Sequence, residues 1–181
     1  MSRLIKFAAL SLAIVPLAAP AAAHNHGSAA AHSSRTIVET AVESPDHTTL
    51  VAAVKAAQLV DTLAGPGPFT VFAPTNAAFA KLPAGTVDTL LQPANRATLQ
   101  AVLTYHVVPG QVTASELLAK IQAGGGKAKL TTVQGGVLTA SVMGGKVMLT
   151  DAKGGMAHVT QADLKGSNGV IHVTDAVSLP G

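Results

Sequence analysis

Apolar residues recur every three to four positions from Thr36 to about Lys120, a mostly helical spacing. From about Lys127 to the end the spacing shortens to every second residue, the period of a strand. Ile37, Val38, Ala41 and Val42 share one helical face, and Leu50, Val51, Val54 and Ala57 share another. Leu59, Val60 and Leu63 form a shorter one. Ser44-Pro45-Asp46 offers a helix start, with Pro45 pre-set for a first turn. Gly65-Pro66-Gly67-Pro68 stops the helical run, and Phe69-Thr70-Val71-Phe72 then reads as a short strand. Pro74-Thr75-Asn76 begins another helix, with Thr75 as its N-cap.

Leu99, Val102 and Leu103 mark a further helix, after which Tyr105-His106-Val107-Val108 reads as extended up to Pro109-Gly110. Leu138, Ala140 and Val142 alternate with Thr139 and Ser141, turn at Gly144-Gly145 and return over Lys146 to Leu149, which is a hairpin pattern. Val159, Gln161 and Asp163 suggest one more strand, and Gly169 to Val173 closes the set. Of 17 glycines, 12 fall between Gly110 and Gly169, where hairpin turns need them. Helices segregated from a largely antiparallel sheet define an α+β fold.

Composition narrows the function classes. The chain has 181 residues, 48% hydrophobic and 12% charged, which fits one domain plus a tail and argues against disorder. The absence of cysteine removes disulfides, thiolate metal sites and cysteine nucleophiles together. The net charge of +3 overstates the domain, because Arg3 and Lys6 lie in a removable segment. A near-neutral domain whose aromatic residues are Phe7, Phe69, Phe72, Phe79 and Tyr105 has neither the basic footprint nor the stacking platforms of a nucleic-acid binder.

Residues 1–23 read as a secretory signal peptide. Arg3 and Lys6 form the positive region, Phe7 to Ala19 the apolar stretch, and Ala21 and Ala23 the small residues before cleavage. The destination is the periplasm or the extracellular space, with no membrane span left once the signal is removed. Residues 24–35 carry no apolar periodicity and read as a flexible, histidine-containing lead-in to a domain over residues 36–181. Cleavage after Ala23 would expose His24-Asn25-His26. The α-amine, two backbone amides and the His26 imidazole would then form a square plane suited to Cu(II) or Ni(II), with His24 as a further donor. A periplasmic copper- or nickel-binding protein is therefore the alternative to the reading below.

Catalytic cues are lacking. Gly-x-Ser-x-Gly does not occur, and Gly124-Gly125-Gly126-Lys127 lacks the spacing of a phosphate-binding loop. Of the internal histidines, His106, His158 and His172 lack a partner at metal-ligand spacing. His106 and His172, set among valine, leucine and isoleucine, are expected as buried, hydrogen-bonded core groups.

Three segments carry a family resemblance. Phe69-Thr70-Val71-Phe72-Ala73-Pro74-Thr75-Asn76-Ala77-Ala78-Phe79 resembles the first signature of the fasciclin (FAS1) domain, and Gly169-Val170-Ile171-His172-Val173-Thr174-Asp175 the second. Between them, Leu103-Thr104-Tyr105-His106-Val107-Val108-Pro109-Gly110 is similar to the family's Tyr-His segment. Asn76 stands where many members carry an acid, and Thr174 where an aliphatic residue is common. The resemblance implies a β-sandwich or wedge with helices packed along it, and an adhesion role outside the cytoplasm. It makes Phe72, Pro74, Thr75, Phe79 and His172 structural motif residues. In animal members the Tyr-His segment is implicated in integrin contact, which carries over to Tyr105 and His106 as binding candidates.

Together these features describe an exported, non-catalytic, cofactor-free interaction module. Its partner would be a cell-surface or matrix protein or glycan. The structural reading of Tyr105 is as a core anchor, with its hydroxyl and His106 tying the helix start near Thr75. Phe72 and Phe79 are expected in one cluster.

Overall fold

Local capping explains why the short helices form. The computed structural model describes residues 35–181, so the signal segment and His24 and His26 lie outside the described residues. Helix α1 (Ile37–Val42) opens with a reciprocal capping box, in which the Glu39 carboxylate accepts from the Thr36 N–H at 2.7 Å and the Thr36 hydroxyl accepts from the Glu39 N–H. Helices α2 (Thr48–Ala56), α3 (Val60–Ala64) and α4 (Asn76–Ala80) follow, with strand β1 (Phe69–Pro74) before α4. Thr75 caps α4 as expected, accepting from the Ala78 N–H at 3.2 Å.

The expected start at Ser44 gives a single 3-10 turn, Pro45–His47, ahead of α2. The Ser44 hydroxyl meets His47 Nδ1 at 2.8 Å instead of a backbone N–H. Asn76 holds the entry to α2 from α4. Its Oδ1 accepts from the Thr49 N–H at 2.9 Å, and its Nδ2 donates to the Pro45 carbonyl at 3.0 Å. A carboxylate at this position could not make the second bond.

Helix α5 (Thr86–Leu91) precedes α6 (Arg96–Tyr105), which runs directly into β2 (Val107–Pro109). Tyr105 is thus the last helical residue and His106 the C-cap, not part of an extended segment. The apolar positions Leu99, Val102 and Leu103 continue at helical spacing through His106, and the strand begins only at the β-branched pair. Helix α7 (Ala114–Ala123) carries a second capping box, Thr113 with Glu116. Strands β3 (Lys127–Thr131), β4 (Val137–Met143), β5 (Lys146–Thr150), β6 (Met156–Gly166) and β7 (Gly169–Thr174) complete the chain, and the expected hairpin is β4–β5.

The sheet order is β2-β1-β7-β6-β5-β4-β3. All neighbours are antiparallel except β1 and β7, whose parallel register sets Phe72 beside His172. Strand β6 pairs with β5 through Met156–His158 and with β7 from Val159 onward, with register shifts on either side of Gln161. This change of partner divides the sheet into two halves. The Val133 N–H also donates to the Val107 carbonyl at 2.8 Å, bringing the two edges together.

Two cores result. The first lies between the halves, where Phe72, Tyr105 and Val108 pack with Leu130, Leu138 and Leu149 and with Leu117 and Ile121 of α7. The second lies between the other face of β1 and β7 and helices α1–α6, with Ile37, Leu50, Ala53, Phe79, Leu103 and Ile171. Phe72 and Phe79 are both buried but in different cores, which corrects the single cluster expected above. Strand alternation sends Phe72 to one face of β1, while α4 lies over the other.

Candidate functional site

The Tyr-His segment at the end of α6 sits at the junction of the two cores. Tyr105 is 0% exposed. Its hydroxyl donates to the Val137 carbonyl at 2.8 Å and accepts from the Ala152 N–H at 3.0 Å, so it joins the turns before β4 and after β5. Burial raises the Tyr105 pKa above its ordinary value. A Cβ on Gly136 would lie 2.5 Å from Tyr105 Cε2, so glycine at this turn is what lets the ring approach.

His106 is 3% exposed. The Ser178 N–H donates to its Nε2 at 3.0 Å. The ring proton therefore sits on Nδ1, which donates to the Val102 carbonyl at 2.7 Å. Burial holds the His106 pKa below its ordinary value, and the ring is a neutral bridge between α6 and the C-terminal segment. The expected tie to Thr75 is corrected: these two residues hold the turns around β4 and β5 and the segment at Ser178. Neither side chain has the exposure that direct contact with a partner requires, so a binding role for the segment would fall to its surroundings.

His172 repeats the pattern with the tautomer reversed. The Asp163 N–H donates to Nδ1 at 3.4 Å, so Nε2 carries the proton and donates to the Val112 carbonyl at 2.8 Å. Thr70, on the same face, accepts from the Val112 N–H at 2.8 Å and donates to the Gly110 carbonyl at 2.7 Å. His172 and Thr70 thus hold the carbonyl and the N–H of Val112 and fix the link between β2 and α7. His172 also stacks on Phe72, with ring centroids 5.5 Å apart.

Pattern reading missed Asp151 and Asn168. Buried Asp151 accepts from the N–H groups of Lys153, Gly155 and Leu179, and Asn168 bonds Ile37, Leu63 and Gly65. Both lie in strand-connecting turns beside glycine, where Asx side chains commonly bond the backbone. His158, half-buried, has Nδ1 3.4 Å from Asp175, whose carboxylate is also 3.7 Å from the Lys81 amine. Among the described residues no three His, Asp or Glu side chains converge as a metal ion would require.

The outer face of β3–β6 carries aligned rows of side chains. Cross-strand register aligns Lys129, Thr139, Thr150 and Met156 in one row. Lys127, Ser141, Met148 and His158 form the next, with Met143 beside Lys146. The three lysines are exposed, as are Met143 and Met156 at 58% each. These rows contain lysine, hydroxyl, methionine and histidine side chains, of which Met148 is buried, and no carboxylate, apart from Asp175 reaching His158 at one end. The lysines on β3 also guard its edge against pairing with another strand.

Comparison with known proteins agrees with this architecture. The fasciclin domain family matches residues 45–180. Protein sll1483 of Synechocystis sp. is 52% identical over 152 residues, covering 84% of this chain and 77% of that protein. The cell surface glycolipoprotein MPB83 of Mycobacterium bovis is 35% identical over 159 residues, covering 85% of this chain and 64% of that protein. Among solved structures, a FAS1 domain pair from the insect cell adhesion molecule fasciclin I matches with a TM-score of 0.71 at 19% identity. It covers 80% of this chain, which spans about half (51%) of that two-domain chain, and at this identity the likeness speaks for the fold.

Proposed function

The chain belongs to the fasciclin family, and from that premise we propose that it is an exported, non-catalytic binding module of adhesion type. Its contact surface in this reading is the outer face of β3–β6, and its partner an acidic cell-surface or matrix protein or glycan. The observation that carries the reading is how the signature side chains are used. Tyr105, His106, His172 and Thr70 are all bonded to main chain and hold loops in place, so what the domain offers a partner is a surface on a rigid frame. Lys127, Lys129 and Lys146 give that surface a single sign, and exposed Met143 and Met156 add adaptable apolar contact. Export is supported by the signal-like residues 1–23 and by the likeness to a protein named for the cell surface.

The test is affinity capture from envelope, matrix and host-surface fractions, with the secreted protein as bait beside a Lys127→Glu/Lys129→Glu/Lys146→Glu variant. A partner retained by the first and released by the second, with capture weakening as salt rises, is the expected result. Equal capture by both would remove the face from the reading. A native protein still carrying Met1 would remove export.

A further inference from the structure

A cavity of about 110 Å³ lies on the helix side of the sheet, under α1, α2 and α3 and over β1 and β7. It is open to solvent on one side. It is smaller than the roughly 150 Å³ engineered apolar cavity that stays dry and binds benzene, and far above the roughly 10–15 Å³ that admits one water. Its lining is aliphatic or aromatic except for Lys55 and His106, and both His106 nitrogens are already bonded to backbone. Water against this lining would find no free protein hydrogen-bond partner, so a hydrocarbon group suits the space better.

The cavity has a direction. Its floor is buried, with Ile37, Ala73 and Ile171 among its residues. Its rim runs between α1 and α2, where Val38, Ala41 and Val51 are half-buried and Val42 is 51% exposed. Lys55, exposed in the last turn of α2, stands at this rim with no hydrogen bond or ion pair among the described residues. The carboxylates on α1 are engaged elsewhere, Glu39 by the Thr36 cap and Glu43 by Arg35 at 2.6 Å. An apolar pit with one unpaired cation at its mouth matches a molecule with a hydrocarbon tail and an anionic head.

We propose that this cavity is a binding site for a small aliphatic carboxylate, a fatty-acid-like molecule. The end of its chain fills the pit, the middle lies over Val42 and Val51, and the carboxylate meets the Lys55 amine. The site lies over the β1–β7 half of the sheet, away from the β3–β6 face proposed for adhesion, and it stands or falls independently of that role.

Calorimetric titration of the full secreted chain with decanoate, below its micelle concentration, tests the proposal. Decanol and decyltrimethylammonium serve as neutral and cationic controls. Decanoate should bind at one site and raise Tm, decanol should bind about fivefold more weakly, and the cation weaker still. Lys55→Gln should weaken decanoate by about fivefold and leave decanol unchanged. Ala41→Phe, which fills the mouth, should abolish binding of both while the unliganded protein stays folded; Val51→Phe, at the rim, is the second variant should the first misfold. No saturable binding of decanoate, equal binding of the cation, or full binding by a folded mouth-filled variant would each overturn the site.

Discussion

The two cores of this domain are built on different principles. The core between the sheet halves is tied by directional bonds. Tyr105, His172, Thr70 and Asp151 are buried there and each reaches main chain from a distant segment. The core under the helices is filled by apolar side chains, with Ala53, Ala57 and Ala73 among leucine, valine and isoleucine, and its polar ties, from Asn76, Gln100 and Asn168, come from side chains that are not fully buried. It borders an open apolar pocket of about 110 Å³. Buried polar bonds specify one arrangement, because any other leaves a desolvated group unpaired. Apolar contacts between short helices tolerate small shifts and imperfect filling. A rigid frame and an adaptable layer thus share one sheet.

Truncating a buried pin should have the largest effect. Tyr105→Ala should cost about 3–5 kcal/mol in urea unfolding, from lost ring burial and the stranding of Val137 and Ala152. Tyr105→Phe isolates the bonds and should cost about 1–3 kcal/mol. If the phenylalanine variant is as stable as the parent, the hydroxyl is not a pin. His172→Ala should cost a similar 1–3 kcal/mol or more, since the Val112 carbonyl and the Asp163 N–H both lose a partner. Amide exchange should rise first in the segment around Val112.

Enlarging an alanine on each side sharpens the contrast with effects of opposite sign. Ala140→Leu, in the filled core, should destabilise by about 1–3 kcal/mol. Ala41→Leu, at the cavity, should be neutral or stabilise by about 0.5–2 kcal/mol. Matching losses at both sites would mean the helix side is as tightly packed as the other.

The smallest effect expected is on stability as pH falls below about 6.5. Burial lowers the pKa of both His47 and His106 from 6.5, so each takes up its proton more readily in the unfolded chain. Stability from these groups is complete above about pH 6.5 and is lost as pH falls toward the folded-state values. Thermal unfolding should show Tm falling with acidification over this range, with a shallower slope in His106→Gln. An unchanged slope in that variant would place the proton uptake elsewhere.

Much of the fold was legible because its signals are local. The helical faces of α1 and α2, the Gly65–Pro68 stop, the Thr75 cap and the β4–β5 turn each depend on residues within a few positions of one another. The burial of His106 and His172 was legible as well, from apolar neighbours on both sides. The bulged course of β6 was not, because Asp163 adopts a left-handed φ of 58° and its carboxylate accepts from the Ala114 N–H at the start of α7, a partner 49 residues away. Nor was the site's wiring: the bonds from Tyr105 span 32 and 47 residues, and that from His172 to Val112 spans 60.

Local sequence sets most of the helices and strands and most of the side chains that leave water, with the Tyr105–His106 boundary an exception, since periodicity, capping and hydrophobicity act over one or two turns of chain. It carried the fasciclin signatures in order, and through them the fold class. Only the tertiary structure decided that Phe72 and Phe79 face opposite cores, that Tyr105 anchors turns near β4 and β5 and not the start of α4, and that a cavity opens beside Lys55. These outcomes depend on how β6 changes partner and which face of β1 the helices cover. That is settled by long-range pairing, whose bonds join groups with no signature in their own surroundings.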